Sequence, residues 1–280
     1  MTVGTSRRTR PRSGLRPLER LTKRDVEGLW GVLFDIDDTL TTRGRLPACA
    51  YSALWALKES GLRLIPITGR PAGWCDHMAR MWPVDAVVGE NGAFYFFYDA
   101  QAGKLRKRYL ADEDQRRENR RRLRAVWEEI RTRVPGVALA SDQHYREADL
   151  AVDYCEDVPH AGWEAVEEIV GIFRAHGAHC KVSSIHVNGW FGDYDKRRTA
   201  QLLARELFGI PEEVLRRRAV FCGDSPNDEP MFAAFELSVG VANVTRFASR
   251  MEHLPAFVTS SAGGEGFAEL AQKILSLLPS

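Results

Sequence analysis

Three aspartates, Asp35, Asp37 and Asp38, stand close together in the segment FDIDDTLT. They directly follow the apolar run LWGVLF, which predicts a buried strand. Ligands of an open α/β sheet bind just outside the carboxyl ends of its strands. Carboxylates crowded there repel one another, and Mg2+ relieves that repulsion because it prefers oxygen ligands and works with substrate phosphates. The alternative is a polar turn in which Asp38 acts as a cap.

Three further segments place polar side chains at comparable positions. PITGR puts Thr68 and Arg70 at the end of a second predicted strand, and Lys196 opens a predicted helix. GDSPND follows a later predicted strand and supplies Asp224, Ser225, Asn227 and Asp228. Each segment alone could be a cap, a solvated cation or a turn. Because all four segments end a strand or begin a helix, we expect them to converge on one edge of the sheet.

The elements that would position these residues fall into two patterns. Strands and helices alternate from about residue 29 to 96 and again from about 195 onward, which predicts a parallel sheet covered by helices. Between them lie two long helices and strand-like segments near 137–140, 150–154 and 182–188, which predict an α/β insert. The predicted division is a disordered basic tail at 1–26, a core at 27–96 and 191–280, and a cap at 97–190.

These segments closely resemble the motifs of the haloacid dehalogenase superfamily of aspartate-nucleophile phosphotransferases, over nearly the whole chain after residue 28. DIDDT resembles the first motif, Thr68 and Lys196 stand at the second and third, and GDSPND resembles the metal-binding fourth. The resemblance implies a Rossmann-like parallel-sheet core with an inserted α/β cap. Two departures concern the subfamily: Asp38 and Arg197 stand where many relatives carry glycine.

The resemblance also implies the chemistry of a phosphatase. Asp35 would be the nucleophile that forms an aspartyl-phosphate, and Asp37 the general acid and base. Thr68 and Lys196 would orient and neutralise the transferring phosphate oxygens. The Mg2+ ligands implied are Asp35, Asp37 through its main-chain carbonyl, Asp224, and Asp228 as a further or outer ligand.

The substrate is implied more loosely. ENGA at 90–93, VGVAN at 239–243 and the fourth motif resemble the subgroup of sucrose-phosphate, mannosylphosphoglycerate and trehalose-phosphate phosphatases and broad-range sugar phosphatases. This favours a small-molecule ester such as a sugar phosphate. The candidate substrate contacts are Arg70, Asn91, His186, Asn188 and Trp190, with Ser225 and Asn227 of the fourth motif. His186, Asn188 and Trp190 alternate along one predicted strand and could share a face, although ordinary packing would explain them as well.

Two other functions remain open at this point: a phosphosugar mutase, and a non-catalytic phosphosugar-binding protein. The formal net charge of +1 argues against nucleic acid as a partner, and no apolar stretch approaches the length of a membrane span. The five cysteines are scattered and form no CxxC pair, which favours free thiols and a cytoplasmic location. The sequence does not indicate an oligomeric state.

Overall fold

The computed structural model describes residues 15–279, and no helix within them is both long and apolar enough to cross a bilayer. The strands are β1 (Arg16–Pro17), β2 (Gly31–Phe34), β3 (Arg63–Pro66), β4 (Val87–Gly89), β5 (Phe94–Asp99), β6 (Lys104–Tyr109), β7 (Ala138–Leu139), β8 (Asp149–Asp153), β9 (His179–Val182), β10 (His186–Trp190), β11 (Ala219–Gly223), β12 (Leu237–Gly240) and β13 (Phe257–Val258). The α-helices are α1 (Ala48–Glu59), α2 (Ala72–Met81), α3 (Glu113–Arg133), α4 (Trp163–Ala175), α5 (Lys196–Phe208), α6 (Glu212–Arg218), α7 (Glu229–Ala234) and α8 (Gly263–Leu277).

The core is a six-stranded parallel sheet in the order β1-β13-β12-β11-β2-β3. Helices cover both faces, so the central strands are apolar on both sides. In β2, Val32 and Phe34 pack with α1 and α8, while Leu33 packs with α5 and α7. The predicted α/β class with a Rossmann-like parallel core is confirmed.

The edge of this sheet at which β2, β3 and β11 end is the predicted ligand edge. Phe34 pairs with both Pro66 and Cys222, so these three strands end side by side. The residues that follow β2 and β11, Asp35 and Asp224, therefore leave the sheet at neighbouring points. The main chain reinforces this, since Asp35 N donates to Cys222 O over 2.9 Å.

A second antiparallel sheet, β7-β8-β10-β9, forms the cap. Helices α3 and α4 cover one of its faces, and the opposite face carries polar side chains toward the core. The single strand predicted near 182–188 is in fact the end of β9 and the start of β10, because a turn separates the two strands there. The Oγ of Ser183 accepts hydrogen bonds from the main-chain N of Ile185 and His186, which closes that turn.

A three-stranded sheet, β4-β5-β6, joins the core at the point where the sequence placed the start of the cap. Ile67, just after β3, forms a parallel bridge with Val88 of β4, so this sheet continues the core beyond β3. The expected boundary between residues 96 and 97 lies inside β5, in the middle of the β5–β6 hairpin. We therefore propose that the cap begins after Tyr109, where β6 ends.

The segment at 15–26, which the sequence assigned to a disordered tail, is ordered and packs on the core. Leu18, Leu21 and Val26 are buried in the cluster that α1 and α8 form with the sheet. Thr22 and Asp25 cap the short helical turn that carries Val26, and Thr22 N donates to Asp25 Oδ2 over 2.9 Å. The apolar residues outweigh the basic composition here. The rest of the expected tail, residues 1–14, lies outside the described residues.

Candidate active site

Three buried carboxylates and one lysine meet at the ligand edge of the core sheet. Lys196 Nζ donates to Asp35 Oδ1 over 2.6 Å and to Asp228 Oδ1 over 2.7 Å. Asp35, Asp224 and Asp228 each direct a carboxylate oxygen into a space where these oxygens lie within 4.8 Å of one another. All four side chains are at most 3% exposed. The structure thus brings together Asp35, Lys196 and the fourth-motif aspartates that the sequence singled out.

The negative charge of this cluster exceeds the single positive charge of Lys196. Burial raises the pKa of Asp35 to about 8, and although Lys196 opposes this, the charges of Asp228 and Asp37 add to it. Burial also raises the pKa of Asp224 well above its usual range, with Asp228 and Asp35 adding to the effect. One lysine cannot neutralise three buried carboxylates. A hard divalent cation fits this set of oxygen donors and would let all three aspartates ionise.

The fourth motif forms a tight turn that fixes Asp228. Its Oδ2 accepts from the main-chain N of Asp224 over 3.0 Å. A Cβ on Gly223 would lie 2.5 Å from the same oxygen, so only glycine allows this approach. Ser225 Oγ donates to Asn227 Oδ1 over 2.9 Å, so these two predicted substrate contacts bind each other within the turn.

Lys196 is positioned by the contact between α5 and the ENGA turn. Asp195 caps α5 by accepting from Arg198 N over 2.7 Å. Gly92, with φ of +111°, lies so close to the carbonyl of Asp195 that a Cβ there would be 2.3 Å from it. Thr199 Oγ1 donates to Gly92 O over 2.6 Å. The first turn of α5, and with it Lys196, is therefore fixed against the core.

Two residues to which the sequence assigned no role, Asn243 and Thr39, donate hydrogen bonds to Asp224 of the carboxylate cluster. Asn243 Nδ2 donates to Asp224 Oδ2 and to the carbonyl of Asp38, both over 3.0 Å. Thr39 Oγ1 donates to Asp224 Oδ1 over 3.3 Å. Asn243 ends the VGVAN segment, which follows β12 at the same edge of the sheet, and that position is the signal that could have identified it.

Thr68 is fully buried at this edge, and its Oγ1 accepts from Arg70 N over 3.0 Å.

Arg70 joins the core site to the cap. Its Nε donates to both carboxylate oxygens of Asp37, over 2.9 and 3.0 Å. Its Nη1 lies 3.1 Å from Asp142 Oδ2, and its Nη2 lies 2.5 Å from Glu156 Oε1. The guanidinium also stacks on Trp74 at 4.4 Å. The sequence assigned Arg70 to substrate binding, but its side chain donates to three carboxylates of the protein. Two of these, Asp142 and Glu156, belong to the cap and were not predicted.

The other predicted cap contacts divide into two groups. His186 Nε2 lies 2.9 Å from Glu156 Oε2 without the alignment of a hydrogen bond, and Asn188 Nδ2 donates to Asp149 Oδ2 over 3.0 Å. Both face the core. Trp190 lies on the same face of β10, but it is buried in an apolar cluster with Ile36 and Ala72, and its Nε1 donates to Tyr194 O, so it presents no free polar atom.

Asn91 completes the cleft on the core side. It is 2% exposed, and its Nδ2 has no hydrogen-bond partner among residues 15–279. The Asn91 Nδ2 and the Asn188 Oδ1 both approach Gly69, lying 3.2 and 3.7 Å from where a Cβ on that glycine would be. A buried donor without a partner is costly, so a ligand group in the cleft would stabilise it.

A buried glutamate holds cap and core together behind this cleft. Glu90, of the ENGA turn, accepts hydrogen bonds from the main-chain N of Ala72 in the core and of Glu147, Ala148 and Asp149 in the cap, over 2.6 to 3.1 Å. Sequence reasoning used ENGA only as a resemblance and missed this role.

Comparison with known proteins supports the fold. No family model matches the chain, and no curated protein matches it. Among solved structures, the C-terminal domain of C. albicans trehalose-6-phosphate phosphatase is similar with a TM-score of 0.66 at 13% identity, over 91% of this chain and 96% of that one. The sucrose-phosphatase of Synechocystis, in complex with sucrose and phosphate, gives 0.60 at 16% identity, over 88% and 98%. A haloacid dehalogenase-like hydrolase of Bacteroides thetaiotaomicron gives 0.60 at 14% identity, over 88% and 99%.

The fold is the one that these solved structures share, a parallel-sheet core of the haloacid dehalogenase-like type with an inserted α/β cap. The resemblance that the sequence motifs indicated is confirmed at the level of the fold.

Proposed function

We propose that this protein is a Mg2+-dependent phosphatase that removes the phosphoryl group of a small ester through an aspartyl-phosphate on Asp35. The observation that carries the proposal is the Lys196 bridge between Asp35 and Asp228, with Asp224 beside them at the carboxyl edge of a parallel sheet. The solved structures similar to this chain include phosphatases named for sucrose and trehalose phosphates.

The metal would be held by Asp35, Asp224, the main-chain carbonyl of Asp37 and, directly or through water, Asp228. When bound, Mg2+ screens the repulsion between Asp35 and an incoming phosphate and polarises the phosphoryl oxygens. The Asp37 carboxylate is not part of this oxygen cluster, because Arg70 holds it at the cap side. Its carbonyl is thus the atom that we assign to the metal.

In the first step Asp35 attacks phosphorus while the bond from phosphorus to the ester oxygen breaks. Lys196 binds Oδ1 of Asp35, and no hydrogen bond to Oδ2 comes from the described part of the chain, so Oδ2 is available for attack. Asp37 donates its proton to the departing oxygen. Lys196 also neutralises charge that develops on the phosphoryl oxygens, and Thr68 orients them.

In the second step water attacks phosphorus, and the bond between phosphorus and Asp35 breaks. Asp37, now a carboxylate, takes the proton of that water and returns to its starting state. Inorganic phosphate leaves and Asp35 is regenerated. Arg70 would hold Asp37 in one orientation through both steps, because it binds both of its oxygens.

The substrate that we propose is a sugar phosphate or a similar polar metabolite. Its leaving group would lie between core and cap, where Asn91, His186 and Asn188 present buried polar atoms. Such atoms suit a ligand with several hydroxyl groups, because each can pair with a buried donor or acceptor.

The test is phosphate release from a panel of sugar, nucleotide and pyridoxal phosphates, with Mg2+ and with EDTA. Asp35→Asn should abolish release, and Asp114→Asn, at an exposed position of α3, should not affect it. Acid-quenched wild-type enzyme should carry a labile phosphate that Asp35→Asn lacks. Release that persists in Asp35→Asn would contradict the mechanism. Transfer between sugar positions with little free phosphate would indicate a mutase instead.

A further inference from the structure

The backbone conformation and the main-chain hydrogen bonds at position 38 do not require an aspartate side chain. Its φ is +54°, a left-handed conformation that glycine adopts more easily. Its main-chain N donates to Thr41 Oγ1 over 3.1 Å, and its carbonyl accepts from Asn243 Nδ2 over 3.0 Å. A glycine would keep both bonds and relieve the strain. The carboxylate therefore needs an explanation beyond the local fold.

The Asp38 carboxylate has no partner within the described chain. No hydrogen bond or ion pair to it comes from residues 15–279. The buried cations of the cleft are committed elsewhere: Arg70 to Asp37 and two cap carboxylates, Lys196 to Asp35 and Asp228, and Arg146 to Asp142 and Asp149. The half-buried Asp38 carboxylate is thus left as an acceptor without a donor.

Its position is between the core site and the cap. Asp38 follows Asp37 in the chain, and Asn243 Nδ2, which donates to the Asp38 carbonyl, also donates to Asp224 Oδ2, both over 3.0 Å. The charge of Asp38 also helps to raise the pKa of Asp224. On the cap side, burial raises the pKa of the Cys155 thiol to about 11, and the charges of Asp153, Asp38 and Glu156 add to this although Tyr154 opposes it. The Asp38 carboxylate therefore belongs to the charge environment of both the core site and the cap, and it directly follows the residue that would protonate the leaving group.

We propose that Asp38 is a specificity residue that accepts a hydrogen bond from a donor group of the leaving group, a hydroxyl or a protonated amine, and repels a leaving group that carries a second negative charge. This rests on the proposed phosphatase function and adds a substrate class to it. On the protein, Asn91 Nδ2 is a buried donor that lacks a hydrogen-bond partner in the described chain and is free to pair with an acceptor of the same leaving group.

The experiment measures kcat/KM for three esters of similar size: glucose 6-phosphate, glucosamine 6-phosphate and 6-phosphogluconate. If an ester is not turned over, its inhibition constant against p-nitrophenyl phosphate hydrolysis is measured in place of kcat/KM. Wild type should favour the hydroxyl or amine ester over the carboxylate ester by tenfold or more. Asp38→Asn and Asp38→Gly should reduce that ratio several-fold, and the exposed Glu213→Gln should leave it unchanged.

The outcomes separate the two proposals. Equal loss on all three esters in Asp38→Asn, or a wild type that favours 6-phosphogluconate, would overturn the role of Asp38 and leave the phosphatase intact. A larger effect of the variants on the amine ester than on glucose 6-phosphate would identify the amine as the donor, and equal effects the hydroxyl. Asp38→Gly should unfold at the same or a higher temperature, so a changed ratio would not reflect misfolding. If the phosphatase proposal itself is wrong, Asp35→Asn will release phosphate as fast as wild type.

Discussion

Arg70 holds the carboxylate of Asp37 with its Nε and Nη2, at distances of 2.9 to 3.0 Å. The proposed general acid and base is therefore oriented by a residue that also binds Asp142 and Glu156 of the cap. An arginine fork fixes a carboxylate plane in a way that a single lysine ammonium cannot. The orientation of Asp37 and the contact between core and cap thus depend on the same side chain.

Replacing Arg70 should lower catalysis more than binding. In Arg70→Lys the charge stays but the fork is lost, and we expect kcat to fall by about 10²-fold because Asp37 is no longer fixed. Steady-state kinetics on the best substrate would measure this. The control is Arg80→Lys, because Arg80 is an exposed arginine that pairs with Asp76 on the same helix. An unchanged kcat with a raised KM would instead assign Arg70 to substrate binding.

Glu156 should make the cap contact sensitive to acid. Burial alone would raise its pKa, but His186 and Arg70 outweigh burial and lower the pKa to about 2. A carboxylate whose folded pKa is depressed stabilises the protein above its unfolded pKa of roughly 4.3, and this stability is lost as the pH falls toward 2. Glu156→Gln should therefore unfold more easily than wild type at pH 7, and the difference should shrink below pH 4.

The measurement for this is urea unfolding between pH 3 and pH 7. Glu164→Gln, an exposed acid at the start of α4, is the control and should follow wild type across this range. A difference between Glu156→Gln and wild type that stays constant with pH would contradict the linkage.

Residues at the ends of strands were predictable from the sequence. Asp35 and Asp224 each directly follow an apolar run, and parallel strands that lie side by side bring such residues together. Lys196 was predictable because it opens a helix on the same edge. The facing of His186 and Asn188 toward the core followed from the period of two along β10.

Contacts that depend on how the cap docks were not predictable. The cap partners of Arg70, Asp142 and Glu156, stand 72 and 86 residues away along the chain. No local pattern specifies such a pairing, because it depends on the geometry of both connections between core and cap. The same holds for Glu90. Its carboxylate accepts hydrogen bonds from main-chain N–H groups, and nearly every residue type has such a group, so no sequence pattern marks the partners. The ordered segment at 18–26 was missed because its basic composition obscured three spaced apolar residues.

Mg2+ should stabilise the folded protein through the buried carboxylates. A ligand that binds only the folded state at 100 times its Kd stabilises it by about 2.7 kcal/mol, so the unfolding temperature should rise with added Mg2+. Asp224→Asn should remove most of this rise. The matched control is Glu229→Gln, because Glu229 belongs to a separate acidic group with Glu252 and His253 outside the site.

Thermal unfolding with Mg2+, with EDTA and with both would show this without any substrate. Loss of the rise in Glu229→Gln and its retention in Asp224→Asn would place the metal at the outer group and refute the site proposed here.

Glu90 should be important for stability although it takes no part in the chemistry. In Glu90→Gln an amide NH2 replaces one acceptor oxygen and faces main-chain N–H groups of 147–149 and of Ala72. Each donor left without an acceptor should cost about 1–3 kcal/mol. Urea unfolding would measure the loss, with Glu147→Gln, whose side chain is 42% exposed, as the control. Equal stability of the two variants would show that the hydrogen bonds from these four main-chain donors contribute little.

Leu21 tests whether the segment before β2 is part of the core. It is 2% exposed and lies in the cluster formed with α1 and α8, so truncation removes buried apolar surface and leaves a cavity. We expect Leu21→Ala to lower the free energy of unfolding by about 2–5 kcal/mol. The exposed Lys23→Ala should change it by less than about 0.5 kcal/mol. Because the segment lies against α8, away from the cleft, kcat/KM measured well below the unfolding temperature should stay at the wild-type value. A Leu21→Ala protein as stable as wild type would mean that the segment contributes little to the core, as the sequence composition had indicated.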